Sequence, residues 1–462
     1  MIAFWKLNKI PILLTGVSFF LYWLFAYDLI RTEYSKLVIL YCGVWLVFLL
    51  LLKYAKNNIA FLTVIAFLSR ALFIFAIPNL SQDFYRFIWD GRMILEGLNP
   101  YLYTPESFMI TNGPFPVNQA QELYTGMGEL NGSHFTNYPP LNQLCFVLAS
   151  LVSSQHILGA VITLKLIIIA ADFGTFFFGK RLLKHLNLPV KQLFWYLLNP
   201  FIIIELTGNL HFEGLMIFFL VWSVYLLHVN KWKWAGVVFA LSVSVKLIPL
   251  LFLPLLLFYF VSASKSMKQA LIKSIGFYSI VGLTTLVLFA PFFSLEFINN
   301  YTQTIALWFN NFEFNASIYY LAREIGYWFT GYNQIAIIGK ILPLFVVLFV
   351  IGLTFFRRKL TTEKLIVHML FAFSIYLFLS TTVHPWYIAT LLILSIFTRY
   401  KFPLVWSFII ILSYLAYNNL NSADKAENLT VIALEYTVVY AVCIWELFLI
   451  NRSSKHHKVQ HH

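Results

Sequence analysis

The chain has 462 residues, 60% of them hydrophobic and only 11% charged. Soluble domains carry about 25% charged residues, so this composition excludes a soluble globular protein and predicts an all-α polytopic membrane protein. The net charge of +13 does not point to nucleic acid. Its Lys and Arg gather in short stretches between apolar segments, such as KYAK, GKRLLKH, NKWKW and FRRK, where they act as topogenic signals and contacts for anionic membrane lipids.

Apolar segments predict spans at 11–27, 37–52, 59–78, 158–179, 193–207, 215–229, 235–261 (a hairpin of two short helices), 275–292, 335–356, 365–383, 386–398, 402–417 and 431–450. That is about 13 or 14 membrane helices in one integral membrane domain covering 1–462, with two N-terminal helices in 1–58. The first segment has no small-residue cleavage site and reads as a retained span. The positive-inside rule then places the N-terminus in the cytoplasm. Cys42, Cys145 and Cys443 lie in apolar segments without CxxC spacing and are expected to be free thiols. The terminal HHKVQHH reads as a solvated tail rather than a metal site, and no metal is expected.

After the third span comes a hydrophilic stretch, 79–140, with two Arg, no Lys and six acids. At this length a connection is functional as a rule. It opens with SQDFYRFIWDGR, in which aromatics and Leu recur at helical spacing to Leu95, followed by turn signals at Asn99-Pro100 and Asn112-Gly113-Pro114. On a helix Asp83, Arg86, Phe87 and Asp90 share one face, and Tyr85, Trp89 and Arg92 an adjoining one. This predicts an amphipathic interfacial helix with Asp83 at the water–lipid boundary, where a lipid-linked substrate presents its head group. A self-neutralised helix with aromatic anchors fits the same pattern. The apolar stretch at 141–154 follows Tyr138-Pro139-Pro140 and is too short to span, so it is expected to penetrate halfway and return. Such a segment implies a cavity beside it, roofed by the first outer loop.

Further polar residues fall at the same leaflet: Asn209, His211 and Glu213 in TGNLHFEG, Lys246 at the tip of the short hairpin, and His384-Pro385-Trp386-Tyr387 between two spans. Arg323 is the only cation of the second outer loop, 294–334. Ionisable residues in membrane segments default to a functional reading, although hydrogen-bonded core groups and snorkelling explain each one alone. Asp172 and Glu205 lie deeper, where helix packing explains them as well. One interfacial carboxylate with several cations suits glycosyl transfer from a polyprenyl-phosphate sugar. The acceptor needs a base and the leaving phosphate needs positive charge. A hydrolase needs a matched carboxylate pair, and Asp83 and Asp90 would stand about 10 Å apart, two helical turns.

The sequence DFYRFIWDGRMILEGLNPY, then NYPPLNQL, NLHFEG, VKLIPL and HPWY, resembles the GT-C class of membrane glycosyltransferases over roughly residues 60–400. It is most similar to bacterial polyprenol-phosphate-mannose-dependent mannosyltransferases. The resemblance implies an inverting transfer of a sugar, mannose foremost, from a polyprenyl-phosphate donor to a glycan or glycolipid acceptor at the outer face of the bacterial inner membrane. It implies no metal or other cofactor. It makes Asp83, fourteen residues before Gly97, the catalytic base, with Asp90 the poorer fit. Tyr138 would shape the cavity floor, and His384, Lys246 and Arg323 would sit near the donor phosphate. Arg86, Asp90, Arg92, His211, Glu213, Trp386 and Tyr387 complete the expected substrate-binding set. A transporter or flippase for lipid-linked sugars would share such a cavity without needing a poised carboxylate. A glycan ligase or polymerase would call for a more basic outer loop. Oligomeric state is not legible.

Overall fold

The computed structural model describes residues 2–55, 58–110, 113, 115–153, 156–310, 312–355, 360–421 and 427–459. The basic FRRK stretch, Asn112 and Pro114 of the expected turn, and the last three residues of the histidine-rich tail lie outside them. The described chain is helical throughout, and its one backbone pairing of strand type is a bridge between Phe314 and Thr382. It is an all-α polytopic membrane protein.

Among the described residues seven helices are long and apolar enough to cross a bilayer: Lys9–Tyr27, Tyr34–Tyr54, Ile157–His185, Met267–Phe292, Ile335–Phe355, Thr362–Leu379 and Leu429–Leu449. A further apolar pair, Pro200–Gly208 and Glu213–His228, meets at 114° and makes an eighth if taken as one bent span. The other apolar segments, Ile59–Ala71, Pro140–Ser153, Trp232–Val245, Ile248–Ala263, Pro385–Ser395 and Phe402–Tyr417, are shorter helices. The 13 or 14 membrane helices expected are thus of unequal length, because several apolar runs are interrupted. A helix of 13 residues reaches only about 20 Å at 1.5 Å per residue, short of the ~30 Å hydrocarbon core.

The interruptions have local causes. The segment expected at 59–78 stops being α-helical at Ala71. The carbonyls released beyond it, of Phe73 and Ala76, accept hydrogen bonds from the buried Lys165 ammonium at 2.7 and 2.6 Å. The segment expected at 193–207 breaks at Asn199-Pro200, where Pro has no N–H to continue a helix and Asn199 caps Phe201 N–H instead. A π-helical turn, Ile203–Gly208, follows, and Leu210 then takes φ +60°, a conformation uncommon for a branched residue.

The Asp83–Leu95 helix packs against Ala120–Gly132 and Pro140–Ser153. It is packed into the protein along most of its length: Phe84, Arg86, Phe87, Trp89, Asp90 and Arg92 are all buried. Phe87 stacks on Phe146 at 4.6 Å, and both rings meet Phe212 edge-on at the bend of the broken span. Gly97, at φ +77°, makes the tight turn after this helix, a conformation that favours glycine. Beyond the turn Tyr101 packs against Phe292, Phe297 and Tyr301. The second outer stretch, which carries helices Leu295–Asn310 and Ile318–Thr330, is joined to the first there: Asn300 donates to the Tyr101 carbonyl at 3.1 Å.

The N-terminal helix pair is part of the same body. Asn79 donates to the carbonyls of Phe25 and Leu29 at 2.8 and 3.0 Å. Tyr41 donates to the carbonyl of Ser407 at 2.6 Å. The link between the first two helices is thereby held beside the start of the first outer loop.

Candidate active site

Asp83 opens its helix in a half-buried position. Its carboxylate accepts from the Tyr138 hydroxyl and the Asn131 amide, both at 3.4 Å. Burial raises its pKa above the usual aspartate value, opposed by the positive charges of Lys246 and Arg31 and by these two hydrogen bonds. Tyr138 is fixed by edge contacts with Phe87 and Phe146, and its carbonyl accepts from Tyr101 at 2.6 Å. A partly accessible carboxylate, loosely held and electrostatically poised, is the arrangement a general base requires.

The end of the Trp232–Val245 helix is tied to the helix after Tyr138, where the Asn142 amide donates to the Val245 carbonyl at 2.9 Å. The Lys246 ammonium lies 2.5 Å from Glu213 and 5.8 Å from the centre of the Tyr387 ring. Glu213 begins the helix after the bend and is fully buried. Next to it His211 stacks on Trp386 at 3.7 Å, and His384 stacks on the same indole at 4.5 Å. His211 also lies 3.6 Å from Glu205, whose other oxygen accepts from Tyr414 at 2.8 Å. Burial, reinforced by Lys246 and Arg31, pushes the His384 imidazole down to about 3, so it stands neutral at physiological pH. The Phe314–Thr382 bridge anchors the strand of chain leading to it.

The structure therefore brings together Asp83, Tyr138, His211, Glu213, Lys246, His384, Trp386 and Tyr387. It separates out four expected binding residues. Arg86 pairs with Asp90 at 2.7 Å and donates to the carbonyls of Asn131 and His134. Asp90 is fully buried and also accepts from Gln143 at 3.1 Å. Arg92 binds the Asn118 carbonyl and the Gln119 side chain. These three are buried and hold the 79–140 stretch on its helix. Arg323 forms ion pairs with Glu313 and Glu324 at 2.8 and 3.2 Å and lies over Tyr320, so its charge is spent within the second outer loop. Asp172 likewise belongs to a buried pair with Arg70 at 2.6 Å.

Trp386 stacks with both imidazoles and is mostly buried. Asn131 and Arg31 were not legible as site residues. The only sequence signal for Arg31 is its position in a link between two apolar segments, and Asn131 carries none.

An all-α polytopic membrane body with one accessible carboxylate among cations and neutral histidines is the class this chain represents. Residues 20–262, more than half of its length, match the family described as alpha-(1->6)-mannopyranosyltransferase, N-terminal domain, and the chain belongs to that family. It is 26% identical over 175 residues to the Alpha-(1->6)-mannopyranosyltransferase A of Corynebacterium glutamicum. That alignment covers 38% of this chain and 33% of the relative, so the chain spans about a third of the length of the curated relative it matches.

Proposed function

We propose that the protein is an inverting mannosyltransferase that uses a polyprenyl-phosphate mannose donor at the outer face of the bacterial inner membrane. The acceptor is a hydroxyl of a glycan or glycolipid. The observation that carries this reading is the half-buried Asp83 carboxylate, hydrogen-bonded to Tyr138 and Asn131 and opposed by positive charge from Lys246 and Arg31. Family membership supports mannose as the sugar.

In this mechanism the acceptor hydroxyl gives its proton to Asp83 as its oxygen attacks the anomeric carbon. The new C–O bond forms on the face opposite the breaking bond to phosphate. Polyprenyl phosphate departs with the electron pair. The leaving group gains a full negative charge in this step, so a cation aimed at it stabilises the transition state more than the ground state. Neutral His384 and His211 can donate hydrogen bonds without adding charge. The test is a screen of purified protein against polyprenyl-phosphate sugars and glycolipid acceptors, read by product mass. Sugar transfer from the mannosyl donor is expected. Transfer only from a nucleotide sugar, or none from any polyprenyl-phosphate sugar, overturns the reading.

A further inference from the structure

The link between the first two helices holds four charges: Asp28, Arg31, Glu33 and Lys36. They are not paired evenly. Lys36 takes both acids, at 2.9 Å from Asp28 and 3.0 Å from Glu33, and Glu33 also accepts from the Ile30 N–H. Arg31 is left over. Among the described residues no carboxylate lies within ion-pair reach of it. Its Nε is buried without a hydrogen-bond partner, and its guanidinium lies over Tyr417, 3.2 Å from the ring centre, with a side-chain hydrogen bond to the same tyrosine.

Lys246, the other cation acting on Asp83, is already matched by Glu213 at 2.5 Å. Arg31 has no such ion-pair partner, and the Tyr417 ring beneath it meets Phe314, which lies 5.2 Å from the His384 ring, so its guanidinium borders the site. An arginine stacked on an aromatic ring keeps its edge free and is preorganised for two-point binding of a phosphate. The fold also explains how it is held: Asn79 ties the carbonyls of Phe25 and Leu29 to the start of the first outer loop, so the N-terminal pair delivers a residue to the site.

We infer that Arg31 binds the phosphate of the polyprenyl-phosphate carrier, making the N-terminal helix pair part of the substrate site. This assignment rests on the reading of the donor given above. The phosphate carries one charge as a sugar diester and two once the sugar has left, so the contact strengthens as the reaction proceeds.

The experiment measures binding of a sugar-free polyprenyl phosphate to detergent-purified full-length protein as wild type, Arg323→Gln, Arg31→Gln and Arg31→Lys, with thermal melting as a check on folding. Wild type and Arg323→Gln, whose arginine is paired with Glu313 and Glu324, are expected to bind alike. Arg31→Gln is expected to bind at least tenfold more weakly, and Arg31→Lys to fall between, since it keeps the charge but loses the planar fork. If Arg31→Gln does not fold, weaker binding by a folded Arg31→Lys carries the test. Binding by the Arg31 variants equal to wild type, or no binding by wild type, overturns the inference. Wild type that binds the carrier through Arg31 yet transfers no sugar leaves the inference standing and sinks the transferase reading.

Discussion

Gly91 lies directly beneath the main chain of Phe146: a methyl group on its α-carbon would stand 2.3 Å from the Phe146 carbonyl oxygen. The helix carrying Asp83 and the short helix after Tyr138 therefore meet backbone to backbone, locked further by the Phe87–Phe146 stack. The neighbour is main chain and cannot swing aside. Gly91→Ala is expected to cost about 1–3 kcal/mol, the range for overpacking a tight contact. It should also loosen the Asp83–Tyr138 pairing. Thermal melting and turnover per folded molecule measure the two effects, and an unchanged melting temperature would show that the helices part easily.

Asp83→Asn keeps the size of the side chain and removes the base. Turnover is expected to fall about 10²–10⁴-fold, the contribution of a positioned acid or base, with carrier binding retained. Asp90→Asn should instead lower stability, because Asp90 is consumed by Arg86 and Gln143. Comparable turnover losses per folded molecule in both variants would contradict this division of roles.

The pH profile carries a sign. Asp83 acts only when ionised, and burial raises its pKa. Activity should fall as pH drops through that raised value, at higher pH than the ordinary aspartate pKa of about 4 would give. The Tyr138 hydrogen bond favours the charged form, so Tyr138→Phe should move the acidic limb to still higher pH. A limb that stays in place, measured as kcat/KM against pH, would argue that Tyr138 does not hold the base.

Lys246 and Glu213 form a pair in which the carboxylate is wholly buried. Lys246→Met leaves that charge without a counter-ion and is expected to cost about 3–5 kcal/mol, as breaking one half of a buried pair does. The double variant Lys246→Met, Glu213→Met should recover much of this loss but not activity. A double-variant cycle on melting temperature and donor turnover checks both expectations.

Asp172 provides the contrast. With both members of its pair with Arg70 buried, Asp172→Asn is expected to destabilise by about 3–5 kcal/mol while leaving the turnover of correctly folded protein close to wild type. A selective loss of kcat at normal stability would place Asp172 in the mechanism after all.

The all-helical membrane class, the break at Pro385 and the position of Asp83 at the head of a helix were legible because hydrophobic periodicity and Pro or Gly breaks are local properties of the chain, whereas the break at Pro200 lies inside an apolar run that reads as one continuous span. The motifs around Gly97 and Tyr138-Pro139-Pro140 were legible for the same reason. Which charges remain free was not. Asp83 and Asp90 share one helical face, yet Asp90 is buried against Arg86 and Gln143 while Asp83 stays open. Arg323 looked available and is paired, whereas Arg31, which no sequence pattern singled out, has no ion-pair partner among the described residues. Neutralisation depends on partners brought close by packing, across separations in the chain that no local pattern encodes, so only the tertiary structure decides it.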